Sequence, residues 1–463
     1  MQTDEDRDAG RPATGAANAY VLRRVFPPTA ELGTSFLGGL PRLPADLAWP
    51  TTRDGTGLTF LGQVDLDTLP DAPCRDLLPG GALLFFANTG EELTAMGEPG
   101  GAAVVHVPAG IAAVPTRAPP PHVTPLYEGE AAFHLPWLRH DPAPGAEAPR
   151  SFPCWPVAAA PLRTTPDEAD EEASHLRAAY EAAFGPPPLW EHPTWWTEQD
   201  RARLGPFHPL PLAQDDRLWL PGEDWPQGWI HIEIFAARLL EDLRMIRRRA
   251  EAAIKAGRGE VGPWRRQLAG YAAAAQAAEG WHARAGRASA FAAVPTAERA
   301  AFRAWVEGLG AMPPASPLRR LAAALGLGPR TETLPELGPK RLNRVTETAF
   351  IAGADAWLGY APEAALAGLP PALLPLLAGR HAPLATRRHG EGLLVRHQLL
   401  GHGRDVQGAP GAMGGTHVLL MQFDTDAGMF WMWGDVGVVQ FWITPADLDA
   451  GRFDRCVATM EGH

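Results

Sequence analysis

The chain has 463 residues, 46% of them hydrophobic and 20% charged, the usage of a folded globular protein rather than a disordered one. Its 41 Lys and Arg against 53 Asp and Glu give a net charge of −12, which argues against a nucleic-acid backbone or an anionic membrane as principal partner. Three scattered cysteines with no CxxC pair exclude a disulfide framework and a cysteine zinc site, and fit a reducing compartment.

Residues 1–19 are polar and aperiodic and read as a flexible tail. The opening MQTDEDRDAG is acidic where a secretion signal is basic and then apolar, and no apolar run reaches the eighteen or so residues of a membrane span, so the cytoplasm is the expected compartment. From 20 to 160 short apolar runs alternate with Pro and Gly clusters; Leu58–Val64, Ala82–Ala87 and Ala102–Val107 are predicted strands. Residues 161–344 change to a helical, Trp- and Pro-rich character. Thr165-Pro166-Asp167-Glu168 is a helix start, with Leu176, Tyr180 and Phe184 following at spacing four. Phe235, Leu239, Leu243, Ile246, Ala250 and Ile254 predict a long amphipathic helix. Pro263 starts a second, antiparallel to it, and Thr296–Leu309 forms a third. After 345 the strand signature returns, in Thr416–Asp424 and Gly428–Ile443. The expected fold is α+β: a β-rich core from 20–160 and 345–463, interrupted by a helical insertion.

One segment occurs twice. Phe60-Leu61-Gly62-Gln63-Val64-Asp65-Leu66-Asp67 aligns with Leu419-Leu420-Met421-Gln422-Phe423-Asp424-Thr425-Asp426, with Leu, Gln, Asp and Asp matching at a constant offset. All four positions share one parity, so the period of two puts them on one strand face, with Phe60, Gly62, Val64 and Leu66 on the other. A dense apolar run follows each copy, suggesting an ancestral duplication folded into one core.

The blocks Ser35-Phe36-Leu37-Gly38-Gly39-Leu40-Pro41, Leu47-Ala48-Trp49-Pro50 and Leu58–Leu66 resemble the bacterial YwqG-like family, as do His397–Gly401, Leu419–Asp424 and Met432–Gly437. The resemblance brackets the chain and implies a soluble, β-rich α+β fold, with the middle helices as a long insertion. It supplies no catalytic residues. It also implies, by association with toxin genes, a protein-binding, neutralising role.

The duplicated acids are the most suggestive chemistry. Asp65, Asp67, Asp424 and Asp426, with Gln63 and Gln422, could line a ligand site, supply an acid/base pair, or hold calcium or magnesium. Equally, each Asp could end its strand by bonding the next turn. No cofactor is otherwise expected. His402, with Arg404 and Asp405, lies in a Gly-rich loop that could cover a pocket, and Trp431, Trp433 and Asp435 fall on one face of a predicted strand. Trp195 and Trp196, in a polar stretch, are candidate contacts for a partner. Arg247-Arg248-Arg249 reads as a solvated helix face. No nucleophile elbow or phosphate-cradling loop occurs. The leading expectation is therefore a cytoplasmic protein that binds a basic partner; the alternative is a ligand- or metal-binding protein or hydrolase with its site between the duplicated strands.

Overall fold

The computed structural model describes residues 17–28, 33–89, 96–97, 99–126, 149–165, 181–182, 184–185, 218–257, 261–312, 337–369, 374, 377–378, 384–386, 392–426 and 428–462. The fold is α+β, and the chain divides into two compact units. The first is Met1–His134, Ala148–Glu191 and Leu377–His463; the second is Leu135–Glu147 and His192–Leu376.

The first unit is built on β1 (Ala19–Arg24), β2 (Phe36–Leu37), β3 (Thr59–Asp65), β4 (Ala82–Ala87), β5 (Ala102–Val107) and β6 (Trp155–Leu162), with β7 (Leu384–Thr386), β8 (Gly392–Leu394), β9 (His397–Leu400), β10 (Val418–Asp424), β11 (Val438–Ile443) and β12 (Val457–Glu461). β7 and β8 pair alone; the other ten form one antiparallel sheet in the order β12-β11-β10-β9-β1-β6-β2-β3-β4-β5. Read outward from the central β1–β6 pair, each half is a copy of the other. Phe36 lies opposite Gln63 and Leu37 opposite Gly62; in the second half Gln398 lies opposite Gln422 and Leu399 opposite Met421. β3 is bulged between Phe60 and Gly62, and β10 is bulged between the matching Leu419 and Met421. Even the turn after the first strand is repeated. Gly38 and Gly39 take φ +60° and +70°, and Leu400 and Gly401 take +61° and +76°. A Cβ on Gly38 would stand 2.0 Å from the Pro153 carbonyl oxygen, so the first copy needs glycine there.

The bulge corrects one reading of the sequence. With Phe60 opposite Phe86 and Gln63 opposite Leu84, Phe60 and Gln63 share a face, because the extra residue at Leu61 shifts the parity. On that face of the first half, Phe36, Phe60, Leu84, Phe86 and Val107 form an apolar cluster under Trp49 and Val123. On the other face Phe85 meets Phe423 and Phe441 of the second half, with ring centroids at 5.6 and 5.3 Å. The two halves therefore share one interior. At the sheet edges Phe453 reaches His106, at 5.1 Å, and β5 lies near β12, which brings the sheet close to a barrel.

Gly428–Ile443 is a strand only from Val438. Phe430, Gly434 and Val436 have φ of +57°, +55° and +58°, which no strand can continue, so Trp431 and Trp433 lie in a turn closed by the Asp426–Trp431 bridge.

The second unit holds α1 (Trp229–Lys255), α2 (Val261–Arg287), α3 (Thr296–Gly310), α4 (Pro339–Tyr360) and α5 (Pro362–Gly368). The first three match the predicted helices; the one expected from Thr165 lies mostly outside the described residues. α4 runs through the point where strands were expected to return at 345. Its β-branched Val345, Thr346 and Ile351 suggest strand, but Leu342, Val345, Ala349 and Ala352 recur at helical spacing and are buried. α1 packs on α2 and α4, and Trp225, Phe235, Trp281 and Trp305 surround Phe302. Among the described residues no helix is long and apolar enough to cross a membrane.

Burial pushes Glu233 of α1 and Glu347 of α4 up to about 7, with Arg344 drawing Glu347 back in part. A carboxyl raised in the folded state keeps its proton there after the unfolded chain has lost it. Stability is therefore lost as pH rises from the ordinary carboxylate range through 7. Urea unfolding should show the helical unit less stable at pH 8 than at pH 5, by up to roughly 3 kcal/mol per group. Glu233→Gln should flatten that dependence; a profile unchanged by the substitution would contradict it.

Candidate functional site

Each repeat centres on a buried glutamine. Gln63 Nε2 donates to the Thr34 carbonyl at 2.7 Å, and its Oε1 accepts from the Arg42 amide at 2.9 Å. Gln422 does the same one half later: Nε2 donates to the Arg396 carbonyl at 2.9 Å and Oε1 accepts from the Arg404 amide at 2.8 Å. The next bond is repeated too. The Asp65 amide donates to Ser35 Oγ and the Asp424 amide to His397 Nδ1, so hydroxyl and imidazole hold matching places.

The carboxylates diverge. In the first half Asp65 accepts from the Asp67 amide, and exposed Asp67 accepts from the Gly81 amide at 3.0 Å, with Arg75 3.7 Å away. Both therefore serve the turn after β3, and Asp67 lies beyond the strand rather than on its face. In the second half the acids are inside. Asp426 forms a two-pronged pair with Arg24, Nε to Oδ2 at 2.6 Å and Nη2 to Oδ1 at 2.7 Å, with each side chain 2% exposed. His397 Nε2 lies 3.0 Å from the same carboxylate. Since the Asp424 amide points at Nδ1, the ring proton sits on Nε2 and faces Asp426. Asp424 accepts from Arg404 Nη1, the Arg396 amide and the Thr425 amide, at 2.9, 3.0 and 2.9 Å. Trp155 lies under the Arg24 guanidinium, and Trp431 stands edge-on to His397.

The two carboxylate pairs thus belong to separate networks, at the ends of β3 and β10, which have four other strands between them in the sheet. Trp433 is buried and donates its indole N–H to the Asp424 carbonyl, while Asp435 is exposed. His402 contributes backbone to the network, donating to Thr164 Oγ1 and accepting from Gln398. Trp195 and Trp196 lie outside the described residues. Among the described residues no three His, Cys, Asp or Glu side chains converge as metal ligands. Sequence reasoning missed Arg24, Arg396, Gln398 and Gln440. The signal available was a charged or amide residue inside an otherwise apolar run, as in Tyr20-Val21-Leu22-Arg23-Arg24 and Val438-Val439-Gln440-Phe441.

Gln398 and Gln440 make the outer face of the second half more polar than that of the first, while Arg24 lies on the opposite face with His397 and Trp155. Gln398, Gln422 and Gln440 sit side by side where Phe36, Gln63 and Leu84 stand in the first copy. They hold the strap that crosses them. Gln440 Nε2 donates to the Arg404 carbonyl, and Glu461 accepts from the amides of Val406 and Ala409. The arrangement fixes backbone and buries charge; it leaves neither nitrogen of His397 open to act as a base.

Burial alone would push Asp426 up, but Arg24 and His397 hold it well below the usual carboxylate range. Its stabilisation is therefore present above the unfolded carboxylate range and lost as pH falls through it. Asp426→Ala removes the buried carboxylate that balances the Arg24 charge and should cost about 3–5 kcal/mol in urea unfolding, whereas Arg24→Met with Asp426→Leu should cost much less. Equal costs for the single and double variants would contradict this account.

Comparison with curated proteins finds none that matches the chain. The model of a family described as a domain of unknown function, DUF1963, matches residues 35–201 and 382–461. The first matched segment runs from the approach to β2 through β6, and the second takes in β9 to β12, so both repeats are covered and α1 to α5 are not. With more than half of its length under that model, the chain belongs to the DUF1963 family.

Proposed function

We propose that this protein is a YwqG-like binding protein of the cytoplasm whose β-rich unit engages a basic protein partner, with neutralisation of a toxin as the specific form of that role. The observation that carries the reading is the segregation of charge. The β-rich unit has 18 Lys and Arg against 32 Asp and Glu, while the helical unit has 23 against 21. Acids such as Asp46, Asp67, Asp435 and Asp449 are exposed, whereas Asp424 and Asp426 are turned inward onto arginines. A field of one sign on one unit speeds encounter with a partner of the other sign and disfavours acidic competitors. The helices α1 to α5, outside the family match, distinguish this chain from a compact member.

The test is capture from native lysate on the immobilised full chain, across a salt series. The expected result is a basic protein recovered in stoichiometric amount and released as salt rises, because exposed charge pairs are screened. Recovery of no stoichiometric protein, or of an acidic one indifferent to salt, would overturn the reading.

A further inference from the structure

The helical hairpin reverses the charge of the rest of the chain. Residues 229–287 hold eleven Lys and Arg against six Asp and Glu. Between α1 and α2 lies a cavity of about 320 Å³. Its floor is apolar, from Leu240 and Leu243 on one helix and Leu268 and Tyr271 on the other. Tyr271 is held in place because its hydroxyl accepts from Gln267 Nε2 at 2.7 Å and from the Leu337 amide at 2.6 Å.

Arg244, Arg247 and Arg248 complete the wall on the α1 side. Their spacing of three and four places all three on one helix face, beside the leucines. Long stems can lie along apolar surface there while the guanidiniums stay at the mouth. Arg247 is paired with Glu251 at 3.4 Å, both well exposed, a contact that a better anion can replace at little cost. Glu279 is the acid of the lining, and with Glu251 beside Arg247 three cations stand against two anions.

We infer that this cavity binds an amphipathic anion: an apolar chain or ring seated between the helices, with one carboxylate, sulfonate or phosphate head held at the mouth by the arginines. The volume is at the small end of ligand pockets, which run from roughly 300 to 1,000 Å³. The planar guanidinium is the group suited to a two-pronged hold on such heads. The site is independent of the basic partner proposed for the β-rich unit, and the two stand or fall separately.

Calorimetric titration of the full chain with decanoate tests it, with decanol and butyrate as the probes lacking the charge and the apolar length. Decanoate should bind saturably, and decanol and butyrate about tenfold or more weaker. Arg244→Gln with Arg247→Gln and Arg248→Gln should weaken decanoate by at least about tenfold. Ala275→Leu, which adds bulk to the lining, should block it with the arginines intact. Arg248→Glu, a single change at an exposed position, serves if the triple variant fails to fold and should weaken binding in the same direction. No saturable decanoate binding, decanol binding as tight as decanoate, or affinity unchanged in the arginine and Ala275 variants would each overturn the inference.

Discussion

A primary amide taken out of water must find partners for both its ends, and this requirement organises each half of the β-rich unit. Gln63 and Gln422 meet it in the same way, joining two segments of main chain that flank the short strand beside them. The flanking loops are thereby fixed to the sheet by side chain rather than by ladder bonds. Around that clasp the bulge, the left-handed turn and the bond to the amide two residues on are all repeated. A duplication accounts for this agreement with one premise; separate origins would need the same details to arise twice.

The halves have then diverged on the outer face. The first covers it with aromatic and aliphatic side chains, and its acids serve one turn. The second lines it with glutamines and holds Asp424 on Arg404 there, while Asp426 is buried on Arg24 and His397, whose strand positions face the other way. Arg24 comes from β1, so the strongest charge pair of the second half is completed by the start of the chain. This is one physical reason why neither stretch of the β-rich unit is a finished structure alone. Pairs of this kind add little net stability over an apolar core, yet breaking one is costly, which favours a single arrangement of the strands.

Much of this was legible in the sequence and some of it was not. The Gln and Asp repeat fell out of a constant offset and a period of two, and the family resemblance lay on the same blocks. The α+β class and three of the helices followed from periodicity. The equivalence of β2 and β9 was hidden because Phe36 and Gln398 share no chemistry, although their partners do. Trp431 and Trp433 read as strand because aromatic content signals strand, while positive φ at Phe430 and Val436 leaves no mark on a non-glycine residue. The extent of α4 was lost to its β-branched residues, which burial between helices tolerates. The fate of Asp424 and Asp426 was hidden for a different reason: a carboxylate's role depends on which arginine the fold brings to it.

The claim that the two repeats share one interior rests on Phe85 against Phe441, whose rings stand 5.3 Å apart with an interplanar angle of 69°. A double-mutant cycle with Phe85→Ala, Phe441→Ala and the pair, followed by urea unfolding, measures that contact across the halves. The account predicts a coupling of about 0.5–1.5 kcal/mol in a single cooperative transition. Additive costs with no coupling, or two separate transitions for the repeats, would contradict it.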